Sequence, residues 1–268
     1  MNIKSPIGIF DSGVGGLTVM SEIRRLLPFE DIIYVGDTAR LPYGSKDKET
    51  LIGYGREIIN FLLEKGAKAI VLACGTSSST SFDALKEEFP NLTLVDTIRP
   101  SVRAAAETAA THPRICFIAT AATVKTGLFT RLLLQECPEA TIHSRACPLF
   151  APMVEMGLAA KNHPLLHFTA ETYLGDLCGE IDAMVLGCTH YPLLTNILTD
   201  VMGEILFINP AAATALATKD LLAEKGLINS CSKKGKVTFY TSGSIDAFSR
   251  TARSILNEEI TPLKVNWC

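Results

Sequence analysis

The sequence predicts an α/β protein made of two similar, doubly wound domains with mainly parallel sheets that face each other across a cleft. The first observation behind this prediction is a regular alternation of short apolar runs with segments of helical character along the chain. Buried strands of parallel sheets have this apolar composition, and helices connect such strands. The second observation is that the local pattern at the start of the chain returns in its middle.

The predicted elements follow one another in a simple order. The runs that are typical of strands are "PIGIF", "DIIYVG", "AKAIVLA", "LTLVD", "RICFIAT", "AMVLG", "EILFIN" and "KVTFYTS". Segments such as "LTVMSEIRRLL", "SSSTSFDALKEEF" and "SVRAAAETAA" follow them and are predicted to be helices. Because helices connect the strands, the strands are expected to run parallel.

The internal repetition sets the predicted domains. Asp11 and Cys74 each follow a predicted strand and lie 63 positions apart, while Thr120 and Cys188 follow predicted strands 68 positions apart. We therefore predict one domain from residues 1–98 together with 207–268, and a second domain from 99–206. Ligands of parallel sheets bind at the carboxyl ends of the strands, so facing domains would place Cys74 and Cys188 on opposite walls of one cleft.

The composition argues against several classes of function. A formal net charge of −3 over 268 residues gives no basic surface for nucleic acid, and the apolar runs are too short to span a membrane. The start of the chain does not resemble a secretory signal, and the eight cysteines include no CxxC pair, so reduced thiols in the cytoplasm are expected. The "GVGG" turn lacks the third glycine of a dinucleotide loop, and no metal or cofactor is expected.

Two facing thiols predict a specific chemistry. A thiolate on one side of a small substrate can remove a proton from a carbon while a thiol on the other side delivers one, which inverts that carbon. Cys74 and Cys188 both precede predicted helices, whose N-termini are expected to lower the thiol pKa. His190 is a candidate proton partner for Cys188, and Asp11 is the expected polar partner of Cys74.

Neutral hydroxyl groups near these thiols suit an amino-acid substrate. Hydroxyl side chains and helix N-termini offer hydrogen-bond donors to carboxylates at the predicted turns. Tyr43 and Gly44 of "LPYG" are expected to form one wall, where the glycine permits close approach of the backbone. The hydroxyl residues in question are Ser12, Thr76, Thr120, Thr123 and Thr189.

Five motifs in this order resemble the signatures of the glutamate racemase family: "GIFDSGVGGLTV", "YVGDTARLPYG", "ACGTSS", "CPLFAPMVE" and "LGCTHYPLL". The resemblance implies a cofactor-independent, two-thiol enzyme that makes D-glutamate for peptidoglycan synthesis in the cytoplasm. It implies that Cys74 acts on the D-enantiomer and Cys188 on the L-enantiomer, with assistance from Asp11, Glu155 and His190. The substrate-binding residues that it implies are Ser12, Tyr43, Gly44, Gly75, Thr76, Thr120, Thr123 and Thr189. We also expect a homodimer.

Gly75 departs from the family pattern, which has asparagine after the first cysteine. Glycine removes an amide beside Cys74 and is expected to leave space for water, so Gly75→Asn is predicted to lower the KM for glutamate. The departure keeps two alternatives open: a racemase of aspartate or another small acidic amino acid, and an amino-acid-binding relative without turnover. A metal site of Cys74, Cys188 and His190 is a weaker alternative.

Ordinary structural roles compete with these functional interpretations. Asp11 could cap the following helix, and Glu155 could be a solvated helix charge. A cysteine after an apolar run is typically a small buried side chain. We interpret five further cysteines in this way: Cys116, Cys137, Cys147, Cys178 and Cys231. The matched settings of Cys74 and Cys188 favour a catalytic interpretation for those two.

Overall fold

Ten β-strands form two parallel sheets in the computed structural model, which describes residues 2–159 and 163–267. Each strand coincides with or lies close to an apolar run of the sequence, apart from two strands at sheet edges, one of six residues and one of two. The strands of the described residues are β1 (Ile7–Asp11), β2 (Ile32–Gly36), β3 (Ala69–Leu72), β4 (Thr93–Val95), β5 (Arg114–Ala119), β6 (Thr141–Ala146), β7 (Ala183–Leu186), β8 (Leu206–Ile208), β9 (Val237–Thr241) and β10 (Leu263–Lys264).

Four neighbouring strands of the first sheet have the same order as the four strands of the second sheet. The first sheet has the order β10-β9-β2-β1-β3-β4, and the second has the order β6-β5-β7-β8. All of these strand pairs are parallel. The order β2-β1-β3-β4 therefore repeats as β6-β5-β7-β8, which confirms the predicted fold of two similar α/β domains. The domain limits at residues 98 and 207 stay a prediction, since strand pairing alone does not define where a folding unit ends.

Twelve α-helices connect and cover these strands in the described part of the chain. Side-chain caps start several of them: Asp47 accepts the backbone N–H of Thr50 at 2.8 Å, a contact that stabilises a helix by about 1 kcal/mol. No helix of residues 2–159 and 163–267 is long and apolar enough to cross a membrane. The helices are α1 (Leu17–Leu26), α2 (Lys48–Glu64), α3 (Gly75–Thr80), α4 (Phe82–Glu88), α5 (Ile98–Ala109), α6 (Ala121–Lys125), α7 (Leu128–Glu136), α8 (Phe150–Glu155), α9 (Pro164–Leu174), α10 (Thr195–Met202), α11 (Pro210–Glu224) and α12 (Ile245–Leu256).

Alternate residues of the central strands pack on opposite faces of each sheet. In β1, Ile7 and Ile9 pack with α1, α11 and α12, whereas Phe10 packs with α2 and α4. In β5, Phe117 packs with α5 and α7, whereas Ile118 packs with α8, α9 and α10. Burial of one such side chain stabilises the fold by about 1.5–3 kcal/mol. Helices thus cover both faces of both sheets, as in a doubly wound fold.

The cysteines away from the predicted cleft are not all buried. Cys116 and Cys147 lie in the second-domain core, and Cys137 is half-buried, but Cys178 and Cys231 are exposed. The prediction of a buried side chain is therefore wrong for Cys178 and Cys231. Both lie in connecting segments outside the strands and α-helices, where an apolar neighbour in the sequence does not imply a place in the core.

Candidate active site

Asp11 is the last residue of β1 and is fully buried. Its carboxylate accepts the backbone N–H of Gly13 at 2.9 Å and the hydroxyl of Thr189, from the second domain, at 3.4 Å. Burial raises the pKa of Asp11, while the charge of His190 and the Gly13 N–H act in the opposite direction. Asp11 therefore joins the turn after β1 to the turn that carries Cys188.

Cys74 lies between β3 and α3 and is 5% exposed. Its thiol donates to the Ser12 hydroxyl at 3.6 Å, whereas the sequence predicted Asp11 as its polar partner. Burial, and then the charge of Asp11, raise the pKa of Cys74 to about 11, although the Ser77 N–H and Ser12 hydroxyl act against this rise. The predicted lowering of this thiol pKa by the helix N-terminus is therefore wrong, because desolvation outweighs the helix.

Cys188 begins a chain of polar contacts in the second domain. Its Sγ lies 3.7 Å from Nδ1 of His190, and Nε2 of the same ring lies 2.7 Å from Oε1 of Glu155. Burial opposes the charged imidazolium, but the hydrogen bonds and charges of Cys188 and Glu155 outweigh it and raise the pKa of His190 well above its usual value. The imidazolium form of His190 is consequently favoured, and this ring lies beside the Cys188 thiol group.

Three threonine hydroxyls connect the two domains beside the thiols. Oγ1 of Thr76, in α3 of the first domain, lies 3.0 Å from Oγ1 of Thr120, in the second domain. Thr120 Oγ1 is also 2.9 Å from Thr123 Oγ1, and the Thr123 hydroxyl donates to Thr76 Oγ1 at 3.5 Å. This cluster supplies neutral donors and acceptors that can turn towards a carboxylate.

Tyr43 and Gly44 lie in a 3-10 turn, Tyr43–Ser45, on the first-domain side. The ring of Tyr43 packs with Leu51 against Cys74. A Cβ added at Gly44 would lie 3.3 Å from Cβ of Thr120, a tight contact across the cleft. Glycine at residue 44 thus permits the close approach of the backbone that the sequence predicted, and the group that it approaches is Thr120 of the second domain.

A cavity of about 320 Å³ lies between the domains, and Cys74 and Cys188 both line it. The other predicted site residues line it as well, except Asp11 and Thr123, which are buried. Five further residues line the cavity that were not among the predicted site residues, and the motifs "LPYG" and "CPLFAPMVE" contain all of these except the last. They are Leu41, Pro42, Ala151, Pro152 and Met156.

Gly75 meets the second domain directly. A Cβ added at this glycine would lie 2.4 Å from the carbonyl oxygen of Gly187 and 3.9 Å from Cα of Cys188. A carbon atom cannot approach an oxygen atom this closely without displacing it. The sequence predicted space for water at the position of the missing Gly75 side chain. This expectation is wrong for the position of Cβ, because the backbone of the second domain occupies it.

The site places a thiol from each domain in one cavity, with titratable groups near both. Within the described ranges, no group of three or more His, Cys, Asp or Glu side chains could hold a metal ion, so the metal alternative has no geometric support. Two thiols on opposite walls of one cavity are the arrangement that an isomerase can use to exchange protons at both faces of one carbon atom.

Comparisons with known proteins define the family. The family model described as Asp/Glu/hydantoin racemase matches residues 7–218. The curated glutamate racemase of Aquifex aeolicus is 39% identical over 256 residues, which cover 96% of each chain. The crystal structure of glutamate racemase isoform RacE1 from Bacillus anthracis has a TM-score of 0.91 at 35% identity, covering 98% of this chain and 97% of that one. Glutamate racemase from Francisella tularensis, solved with D-glutamate, has a TM-score of 0.89 at 30% identity, covering 99% and 98%. The chain belongs to the glutamate racemases of the Asp/Glu/hydantoin racemase family.

Proposed function

We propose that the protein is a cofactor-independent racemase that interconverts L- and D-glutamate. The observation that carries this proposal is a single cavity of about 320 Å³ lined by one cysteine from each domain. The relatives support glutamate as the substrate, since the Aquifex aeolicus relative is a glutamate racemase and the Francisella tularensis structure contains D-glutamate. The alternatives, a racemase of aspartate or another small acid and a binding protein without turnover, are not favoured.

The two thiols divide the reaction between them. With L-glutamate, the Cys188 thiolate takes the α-proton, and the Cys74 thiol gives its proton to the opposite face of the same carbon. One C–H bond breaks as an S–H bond forms at Cys188, and one S–H bond breaks at Cys74 as the new C–H bond forms. No electrons leave the substrate, so the step needs no oxidant. With D-glutamate the two cysteines exchange roles.

Neutral groups bind the substrate carboxylates in this proposal. Among residues 2–159 and 163–267, those that line the cavity include no lysine or arginine. The donors available to a carboxylate are therefore hydroxyls, such as those of Ser12, Thr76 and Thr189, together with backbone N–H groups of the adjoining turns. Such donors stabilise a carboxylate without adding a second cation to the His190 imidazolium beside the thiols.

Cys74→Ser and Cys188→Ser test the two-base reaction. Serine is a much weaker acid than cysteine, so each variant should lose complete racemisation, with kcat reduced by about 10²–10⁴-fold or more. Circular dichroism of glutamate, started separately from each enantiomer, measures this loss. Each variant should still eliminate HCl from glutamate chlorinated at Cβ, because elimination needs only one base.

The exposed Cys231 provides the matched control for these variants. Cys231→Ser should racemise glutamate like the wild type. A near wild-type rate in either Cys74→Ser or Cys188→Ser would overturn the two-base proposal. Wild-type inactivity on glutamate, together with turnover of another acidic amino acid, would overturn the choice of substrate.

The cellular setting is also a proposal. The enzyme would work in the cytoplasm, which keeps thiols reduced, and would supply D-glutamate for peptidoglycan synthesis. A homodimer is supported by large apolar side chains that are exposed on α9 of the second domain: Phe168 is 67% exposed and Leu165 is 50% exposed. Sedimentation equilibrium would measure the oligomeric state, and a monomer at all concentrations would contradict the dimer.

A further inference from the structure

Asp37 is a fully buried carboxylate beside the site that the proposed mechanism does not use. Its Oδ1 accepts hydrogen bonds from Oγ of Ser242 and from Nε1 of Trp267, both at 2.6 Å. Its Oδ2 accepts the hydroxyl of Tyr43 at 2.5 Å. Side chains from three distant parts of the sequence thus donate to one carboxylate, and hydrogen bonds to a charged acceptor are among the stronger ones in proteins.

The Tyr43 end of this network reaches the cavity. Tyr43 lines the cavity, and its ring packs against Cys74, although only 2% of the residue is exposed. The ring also lies against Tyr54, with centroids 5.6 Å apart. Because a phenol ring is rigid, the hydrogen bond at its hydroxyl determines where its opposite edge meets the thiol side chain.

Trp267, at the other end of this network, packs against side chains near the Tyr43 wall of the cavity. The indole packs edge-on against Phe61, with centroids 5.9 Å apart, and the guanidinium of Arg40 lies 5.0 Å from its centre. The same guanidinium lies 4.2 Å from the ring centre of Tyr54, which contacts Tyr43. Trp267 therefore supports the Tyr43 wall in two ways, through the Asp37 carboxylate and through stacked side chains.

We propose that Trp267 and Asp37 are positioning residues for Cys74. The indole N–H holds the carboxylate, the carboxylate holds the Tyr43 hydroxyl, and the Tyr43 ring holds the thiol at the cavity wall. The proposal rests on the proposed racemase function, since it assigns these residues to one of its two proton-transfer groups. The proposal predicts an effect on Cys74 and none on Cys188, because none of these contacts reaches Cys188.

Trp267→Phe tests the proposal with little change in packing, since it keeps an aromatic ring against Phe61 and removes only the indole N–H and part of the ring. A reacting group displaced by about 1 Å costs on the order of 10²-fold, so a smaller shift at Cys74 should lower kcat/KM by about tenfold. The fall in kcat/KM must be equal for both enantiomers, because mirror images have equal free energies and their equilibrium fixes the ratio of the two kcat/KM values. kcat/KM therefore cannot show which thiol has moved, and the decisive readout is the isotope effect on kcat/KM.

Glutamate deuterated at Cα distinguishes the two thiols. If Trp267 positions Cys74, proton removal from D-glutamate becomes more rate-limiting in Trp267→Phe, and the primary isotope effect on kcat/KM rises for D-glutamate. The isotope effect falls for L-glutamate, because proton delivery by Cys74 then limits that direction. A purely structural role would lower the melting temperature and leave both isotope effects at wild-type values, and this result would overturn the proposal.

Two further variants and one chemical probe complete the test. Ser242→Ala removes the other donor to Oδ1 of Asp37 and should shift the isotope effects in the same directions. Tyr240→Phe alters the same aromatic group, since Tyr240 contacts Phe61 at 5.0 Å, but makes no bond to Asp37 and should behave like the wild type. Faster alkylation of Cys74 by iodoacetamide in Trp267→Phe, with Cys188 unchanged, is expected even without substrate. Unchanged alkylation would overturn the positioning proposal alone, whereas a wild type that does not racemise glutamate would overturn the proposed function.

Discussion

Gly75→Ala tests whether direct contact between the domains sets the spacing of the two thiols. The added Cβ would lie 2.4 Å from the carbonyl oxygen of Gly187, whereas real contacts of a Cβ atom are not found under 3.0 Å and ordinary contact begins at 3.4 Å. The two backbones must therefore separate by about 0.6 to 1.0 Å. Since Cys188 follows Gly187 in the chain, its thiol moves with the displaced carbonyl and away from Cys74.

The expected size of the effect follows from this displacement. A misplacement of about 1 Å at a reacting group costs on the order of 10²-fold in rate, so Gly75→Ala should lower kcat/KM for glutamate by roughly 10–100-fold. This loss corresponds to about 1.4–2.7 kcal/mol of transition-state stabilisation. Gly75→Asn carries the same Cβ, so the structure reverses the expectation from the sequence that asparagine would lower KM. Its amide can recover part of the loss, and its kcat/KM should lie between those of Gly75→Ala and the wild type.

Circular dichroism of glutamate measures the steady-state rate of racemisation, and thermal unfolding measures the stability of each variant. Gly53→Ala is the matched control, because Gly53 lies within α2 and a Cβ there meets no atom within 4 Å. This control should keep wild-type kcat/KM and gain about 0.5–1 kcal/mol of stability from the better helix residue. A folded Gly75→Ala variant with kcat/KM within about twofold of the wild type would refute the role of the Gly75–Gly187 contact.

Two further predictions concern the cavity and its histidine. Saturating glutamate should slow the alkylation of Cys74 and Cys188 but leave the alkylation rate of the exposed Cys231 unchanged. If glutamate changes the alkylation rate of none of the three cysteines, a shared cleft is contradicted. Glu155→Gln should lower the raised pKa of His190. A raised folded-state pKa contributes stability below the ordinary histidine pKa of about 6.5, and this contribution is lost as pH rises through the folded-state value, so the fall in Tm should be larger at about pH 6 than at alkaline pH. An equal fall at both pH values would show that the pair does not act through protonation.

The strand ends of the site were predictable from the sequence because their signals are local. An apolar run that stops at a polar or cysteine residue marks the end of a buried strand, and β1, β3 and β7 end at or within two residues of Asp11, Cys74 and Cys188. The similar spacing of these positions predicted two related halves, which the repeated strand order confirms. Parallel strands then place their carboxyl ends at one edge of each sheet, which was enough to predict the cleft.

Contacts between distant segments could not be predicted in the same way. The proximity of Gly75 to the Gly187 carbonyl depends on how closely the two domains approach, and no local pattern encodes that distance. The bond from Trp267 to Asp37 joins residues 230 positions apart, and the recognised motifs end before Trp267. The pKa of Cys74 also depends on tertiary packing, because burial and the neighbouring carboxylate oppose the helix N-terminus that the sequence displays.

The two thiols have opposite electrostatic surroundings, although the strand order around them repeats. Burial and Asp11 raise the pKa of Cys74 to about 11, whereas the His190 ring, whose own pKa is raised, lies 3.7 Å from the sulfur of Cys188. The raised pKa of Cys74 suits the proton donor that the proposed mechanism needs when L-glutamate is the substrate. Turnover leaves a Cys74 thiolate beside the negative charge of Asp11, and this repulsion favours recovery of a proton from D-glutamate or from water. A racemase needs an acid and a base at the same moment, and the different neighbours of the two cysteines supply this difference within two otherwise similar domains.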